Sequence, residues 1–319
     1  MKYQCSLYNC KSERKLSAYL LISDFNYYKK LRKDFKNNPC SGYKYFDKIE
    51  ETNREYFKCL PKTEYIHKRL KKLFDNLPKE EYLKSGIKKQ SYITNAKSHI
   101  ESNHFFLIDI TRFFPSITKK YIKKELILTY KQSSDVAEFI SNAITAPQKK
   151  SNGMRALITG SPLSQYFSYV INKRMFDELY DLAKSQGVKF SVYVDDISFS
   201  SNNIISHNFL RKAFYIIKSN GFDISKNKPD KKKFYRGKIG INSIITGVVM
   251  TKDGMYIPKS RENKIKIQLE ELQRIKKSTI EFKKLYEKTI SSIHQAIQVN
   301  SLYEKYLIEI QQLKNNFTN

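Results

Sequence analysis

The chain has 319 residues, with 59 Lys and Arg against 31 Asp and Glu and a formal net charge of +28. A length of this order buries one large core or two to three subdomains, and so large a positive excess points to a polyanionic partner, nucleic acid first. No apolar run approaches the ~18 residues of a membrane span, and no amphipathic basic helix dominates, which sets aside a membrane surface.

Met1-Lys2-Tyr3-Gln4 opens without an apolar leader segment. Cys5, Cys10, Cys40 and Cys59 lack Cys-x-x-Cys spacing and have no paired histidines nearby, which argues against zinc and against a disulfide framework. Together these features give the expectation of a cytoplasmic protein with no membrane association. The 23 Tyr and 20 Phe supply core packing and a few surfaces for stacking on bases.

In chain order, residues 1–45 read as mostly helical, with Leu16, Leu20, Leu21 and Phe25 near helical spacing. Residues 46–90 are basic and broken, and carry Arg54, Lys58, Pro61 and Lys62 before a helix-like stretch from His67 to Leu77. Residues 91–256 mix strand and helix signals. Lys119 to Tyr130 and Asp135 to Ala143 read as helices, and a third runs from Pro162 to Leu182 behind the Gly160-Ser161-Pro162 turn. Beyond Pro258 the pattern becomes helical and glycine-free. Ile265, Leu269, Leu272 and Ile275 recur there at helical spacing, as do Leu302, Tyr306, Ile310 and Leu313.

The chemistry concentrates at Tyr193-Val194-Asp195-Asp196, between the alternating runs Phe190-Ser191-Val192 and Ile197-Ser198-Phe199-Ser200. These runs predict two short strands joined by a tight hairpin that pushes the paired acids out at its tip. Adjacent carboxylates repel, so their placement favours a bound cation. A third acid, Asp109, follows the apolar run Phe105-Phe106-Leu107-Ile108 and predicts a neighbouring strand end. Three carboxylates from two strand ends are what two-metal phosphoryl transfer requires, with two Mg²⁺ ions as the expected cofactor.

After Asp109 come Ile110-Thr111-Arg112-Phe113-Phe114-Pro115-Ser116, which place Phe114 against the sugar of a metal-held nucleotide. Thr159-Gly160-Ser161-Pro162 is a turn through which backbone can approach a base pair or phosphate closely. Gly221-Phe222-Asp223-Ile224 leads into lysines at 226 and 228, one of which could protonate a pyrophosphate leaving group.

The order of these motifs resembles that of the reverse transcriptase family, and within it the bacterial retron enzymes. The resemblance rests on Asp109 with Phe113-Phe114-Pro115-Ser116, on Gly160 to Ser164, on Tyr193 to Asp196, and on Gly221, Ile224 and Lys228. Asn95-Ala96-Lys97-Ser98-His99 and Ile245-Thr246-Gly247 resemble two segments of retron enzymes in particular. Departures are Thr159, Gln165, Val194 and Arg112, which stand where the family more often has Gln, Pro, Ala and an acid.

The resemblance implies an α+β right-hand polymerase fold. Its N-terminal helices and fingers would occupy 1–90, an antiparallel palm 91–256 and a helical, RNA-binding thumb 257–319. It implies Asp109, Asp195 and Asp196 as catalytic metal ligands for two Mg²⁺. Phe114, Ile110, Gly160 and Lys228 would meet the deoxynucleoside triphosphate. Arg54, Lys58, Asn95, His99 and Tyr193 would meet nucleic acid.

The implied partners are a structured non-coding RNA, its RNA–DNA product and an effector protein encoded nearby. The implied reaction is primed from an RNA 2′-OH and serves anti-phage defence. Alternatives are another defence-associated reverse transcriptase, templated or not, a group II intron enzyme, and an RNA-binding scaffold with an idle site.

Overall fold

The computed structural model describes residues 3–48, 54–224, 234–238, 243–276 and 279–315. Helices α1 (Glu13–Tyr19) and α2 (Phe25–Asn37) start where Ser12 and Asp24 accept backbone N–H groups as N-caps. A hairpin follows, β1 (Tyr43–Lys48) and β2 (Arg54–Cys59), then α3 (Pro61–Phe74), whose proline occupies the first turn. Next come α4 (Tyr92–Lys97), closed by a reciprocal capping box between Ser91 and Thr94, β3 (His104–Asp109) and the one-turn α5 (Phe113–Ser116).

Helices α6 (Lys119–Leu128) and α7 (Ser134–Ala143) precede a small hairpin, β4 (Thr145–Pro147) and β5 (Arg155–Leu157). The long α8 (Ser164–Ser185) leads into β6 (Lys189–Tyr193), β7 (Asp196–Ser201) and α9 (His207–Ser219). Then come β8 (Phe234–Lys238), β9 (Ser243–Ile245), β10 (Val248–Thr251) and β11 (Gly254–Tyr256). The described chain ends with α10 (Lys259–Arg274), α11 (Ile280–Val299) and α12 (Glu304–Asn315).

The central sheet has the order β6-β7-β3-β8 and is antiparallel throughout. Its strand alternation separates two faces. Phe106, Ile108, Phe190, Val192, Ile197 and Phe199 share one face and merge with apolar side chains of α8 and α9 into the larger core. Phe199 packs against Phe190 and Phe209 with ring centroids 5.1 Å away in each case. Truncating such a buried ring costs about 3–5 kcal/mol. The opposite face carries Phe105, Leu107 and Asp109 from β3 beside Ser191, Tyr193, Asp196, Ser198 and Ser200.

The architecture is mixed α+β, as expected, and the strand–hairpin–strand reading of residues 190–200 matches β6 and β7. Among the described residues the apolar side chains form two large clusters. Apolar residues of the first 90 positions, Leu16, Leu31, Leu70 and Phe74 among them, belong to the same cluster as the central sheet and α8. A second cluster joins Ile93, Ala96 and Phe105 to Ile245, Val248 and the apolar stripes of α10, α11 and α12. The C-terminal helices are therefore rooted on the far face of β3.

Candidate active site

Asp109 ends β3 and Asp196 begins β7, and the two are direct partners in the antiparallel register. The β6–β7 connection is a two-residue loop, because Tyr193 pairs with Asp196 and leaves Val194 and Asp195 between them. Val194 has φ +62, in the place where a type II′ turn favours Gly. A β-branched residue is a genuine outlier in that region, and strain of this kind concentrates at functional sites. The turn is tied by the Val194 N–H donating to Ser85 Oγ (2.9 Å) and the Ile110 N–H donating to the Asp195 carbonyl (3.2 Å).

These contacts gather Asp109, Asp195 and Asp196 at one end of the sheet. Burial raises the Asp196 carboxyl to about 7, and repulsion from Asp195 and then Asp109 adds to it. Among the described residues no group of three or more Asp, Glu, His or Cys side chains is arranged to hold a metal ion. The donor set nevertheless fits a divalent cation, since hard oxygen ligands whose mutual repulsion raises a pKa are relieved by one. A cleft of ≈ 380 Å³ opens on the same face, lined by Asp109, Tyr193, Asp196, Ser198, Thr246 and Gly247 among others.

The two rings after Asp109 part company. Phe113 is buried against Phe222, 5.5 Å between centroids, while Phe114 is only partly covered at the edge of the core. Phe114 is thus the more exposed of the two rings, packed edge to face with Phe113 at 5.8 Å between centroids. The Ile110 side chain is buried, and its backbone bridges Ile224. With the Thr111 N–H donating to the Asp223 carbonyl (2.8 Å), this brings the Gly221–Ile224 segment alongside the carboxylates. Lys228 lies outside the described residues.

Gly160 has φ +103, and a Cβ there would sit 2.9 Å from the Phe57 carbonyl. Its glycine character is therefore already required by the close approach of β2, where the Phe57 N–H donates to the Thr159 carbonyl (2.9 Å). Arg54 opens β2, and Lys58 is exposed on the same strand.

Two expectations are corrected. Asn95 and His99 are fully buried and present no side-chain atom to a nucleic acid. His99 Nδ1 lies 2.6 Å from Ser200 Oγ and its Nε2 2.7 Å from Ser191 Oγ, while Ser191 Oγ donates to Asn95 Oδ1 (2.7 Å). Their role is internal.

Sequence reasoning also passed over His67 as anything but part of a helix. Its Nε2 donates to the Ala143 carbonyl (2.8 Å), and its Nδ1 accepts from Ser161 Oγ (2.6 Å). It pins the turn that launches α8. A histidine on the apolar side of a basic helix was the only signal to be had.

No family model matches the chain. Curated relatives do. The chain is 26% identical over 184 residues to the Retron Se72 reverse transcriptase of Salmonella heidelberg (strain 579083-10), covering 55% of this chain and 46% of the relative. It is 27% identical over 118 residues to the Retron Ec83 reverse transcriptase of Escherichia coli, covering 35% and 37%. It is 26% identical over 198 residues to the Retron Ec86 reverse transcriptase of Escherichia coli, covering 61% and 57%.

The chain is thus distantly related to several retron reverse transcriptases. The alignments span between about a third and just over half of these relatives' own lengths. A solved foamy viral protease–reverse transcriptase in complex with double-stranded DNA aligns over 82% of this chain and 41% of its own, at TM-score 0.40 and 18% identity. No helix among the described residues is long and apolar enough to cross a membrane.

Proposed function

We propose that the chain is an RNA-directed DNA polymerase of the retron kind, which copies part of a bound structured RNA into single-stranded DNA. The observation that supports this most is the meeting of Asp109 and Asp196 across the β3–β7 ladder, with Asp195 in the adjoining loop and an open cleft beside them. The distant relation to retron enzymes supports the choice among polymerases.

In this reading Asp109, Asp195 and Asp196 hold two Mg²⁺ ions. When bound, these supply a more acidic attacking hydroxyl and charge neutralisation on the triphosphate and leaving pyrophosphate. The residues of the chain do the positioning. The β3–β7 register sets the spacing of two carboxylates before any ligand arrives, and such preorganisation supplies much of the rate in phosphoryl transfer. Phe114, the more exposed of the two rings, meets the sugar and excludes a 2′-OH. Tyr193, half-buried on the cleft wall, touches the strand end. Lys228, just beyond Ile224, protonates the pyrophosphate. Arg54 and Lys58 meet incoming phosphates.

The same reading assigns fingers, palm and thumb to residues 1–90, 91–256 and 257–319. It extends to priming from an internal RNA 2′-OH and to anti-phage defence with an effector encoded nearby. The test is primer extension on an RNA template with deoxynucleoside triphosphates and Mg²⁺. Asp195→Asn and Asp109→Asn should fold, melt no lower than wild type, and make no DNA; near-wild-type extension by either overturns the assignment. Nucleic acid extracted from the native complex should, after ribonuclease, leave DNA that shifts on treatment with a debranching nuclease. DNA joined to a protein hydroxyl would favour an untemplated enzyme, and RNA without DNA an idle scaffold.

A further inference from the structure

A polar chain runs under the β6–β7 hairpin and ends at the Thr246 turn, which lines the cleft. Burial holds His99 neutral, its pKa lowered to about 3. Ser191 Oγ donates to Asn95 Oδ1, so it accepts from His99 Nε2–H, while His99 Nδ1 lies 2.6 Å from Ser200 Oγ, itself 2.9 Å from Ser102 Oγ. Asn95 Nδ2 then donates to Thr246 Oγ1 (3.4 Å), and Thr246 Oγ1 donates to the Tyr92 carbonyl (2.9 Å). Ser191 lies on β6, two residues from Tyr193, and Thr246 lines the same cleft as Tyr193 and Asp196. The β6–β7 hairpin and the Thr246 turn, both of which line the cleft, are thus referenced to α4 and the turn that follows it.

Thr246 itself carries a second, independent signal. Ile245 pairs with Val248, so Thr246-Gly247 is a two-residue hairpin loop, with φ +46 and +80. Loops with both φ positive favour Asn-Gly, and a β-branched residue there is strained by about 1–3 kcal/mol. Turn chemistry alone therefore does not account for a threonine. Its hydroxyl does, because it accepts from Asn95 and donates to Tyr92.

We propose that Asn95 and His99 are positioning residues: through Ser191 and Thr246 they set the separation between the Thr246-Gly247 turn and the Asp195-Asp196 hairpin, and so seat the strand end to be extended. This rests on the polymerase reading above. It predicts a separation of stability from turnover that a merely structural network would not give. Thr246→Asn restores preferred turn chemistry, so its melting temperature should equal or exceed wild type. Its kcat should fall roughly tenfold to a hundredfold, since displacements of about 1 Å cost up to that much, with KM for the nucleotide within about twofold.

The second measurement is a double-mutant cycle in kcat between Asn95→Ala and Thr246→Val, run on full-length protein with a primer annealed to RNA. Fluorescence anisotropy would give the primer–template Kd. If Asn95 acts through Thr246, the double variant is no slower than the slower single one. Additive losses, or Thr246→Asn turning over like wild type, overturn the inference while leaving the polymerase assignment intact. Wild-type protein that makes no DNA, as Asp195→Asn makes none, overturns both.

Discussion

Asp109 and Asp196 are cross-strand partners at the end of the β3–β7 ladder, and this register sets two acids side by side. Paired acids directly opposite each other oppose folding. Burial raises the Asp196 carboxyl to about 7, and repulsion from Asp195 and then Asp109 adds to it.

Metal-free protein should accordingly lose stability as pH rises. In the unfolded chain Asp196 ionises near its ordinary 3.8, while in the folded chain it keeps its proton to about 7. Between those values the unfolded state binds fewer protons, so stability falls with rising pH and levels off above about 7. Asp196→Asn should flatten this slope and raise the melting temperature at pH 7, while Mg²⁺ should raise it for wild type alone. Thermal melts across pH 4–8 with and without Mg²⁺ check this; an unchanged slope in Asp196→Asn would remove the electrostatic argument.

The two buried histidines act in the opposite sense. Burial lowers His67 to about 4 and His99 to about 3, from 6.5. Their stabilising effect is complete above pH 6.5 and declines as pH falls toward 4 and 3, by up to about 1.4 kcal/mol per pH unit for each. His99→Gln should reduce the acid sensitivity of unfolding seen in urea titrations at pH 5 and pH 7. Equal sensitivity in the variant would show that His99 is already protonated or solvated.

Sugar selection should reside in Phe114. Phe114→Val should raise ribonucleotide incorporation relative to deoxyribonucleotide without lowering the melting temperature by more than a few degrees. Phe113→Val, which opens space beside Phe222, should instead lower stability by about 1–3 kcal/mol. Competition between the two nucleotide types in single-turnover extension reads the first effect. A change in selection with Phe113→Val alone would name the other ring.

RNA affinity should fall steeply with salt, because neutralising phosphates releases counterions. Lys283, Lys284 and Lys288 are exposed along α11, while the apolar stripe of that helix is rooted in the second core cluster. Deleting residues 257–319 would open that core, so charge reversal is the cleaner probe. Lys283→Glu, Lys284→Glu and Lys288→Glu together should weaken binding of a structured RNA and reduce the log–log salt slope by about 1 for each phosphate no longer neutralised. Filter binding from 50 to 300 mM salt measures it, and an unchanged slope would place the RNA elsewhere.

Local pattern made the catalytic hairpin legible. Alternation across Phe190–Ser200 and the paired acids define strand, loop and strand without any tertiary knowledge, and the same holds for the helices from 119 and 135. What stayed hidden is what depends on partners far along the chain. Gly160 looked like a ligand-facing turn, and its tight neighbour is Phe57, an approach between distant segments that no periodicity announces. The assignment of Asn95 and His99 to nucleic acid rests on the resemblance of residues 95–99 to a segment of retron enzymes, and resemblance carries no information on which way a side chain faces. Their burial follows from serines on β6 and β7 that supply matching donors and acceptors. Lys173, fully buried between Glu80 and Asp177, was equally unreadable from a charged helix.

The left-handed Val194 bears on how this protein could be altered by selection. Glycine at 194 and asparagine at 246 would each relieve a local conformational penalty, so a screen for heat tolerance alone should recover them early. Both positions flank the cleft. The easiest routes to a hardier fold therefore lead straight through the two turns that shape the site, and a library ranked by survival would have to be re-ranked by DNA synthesis before any winner is kept.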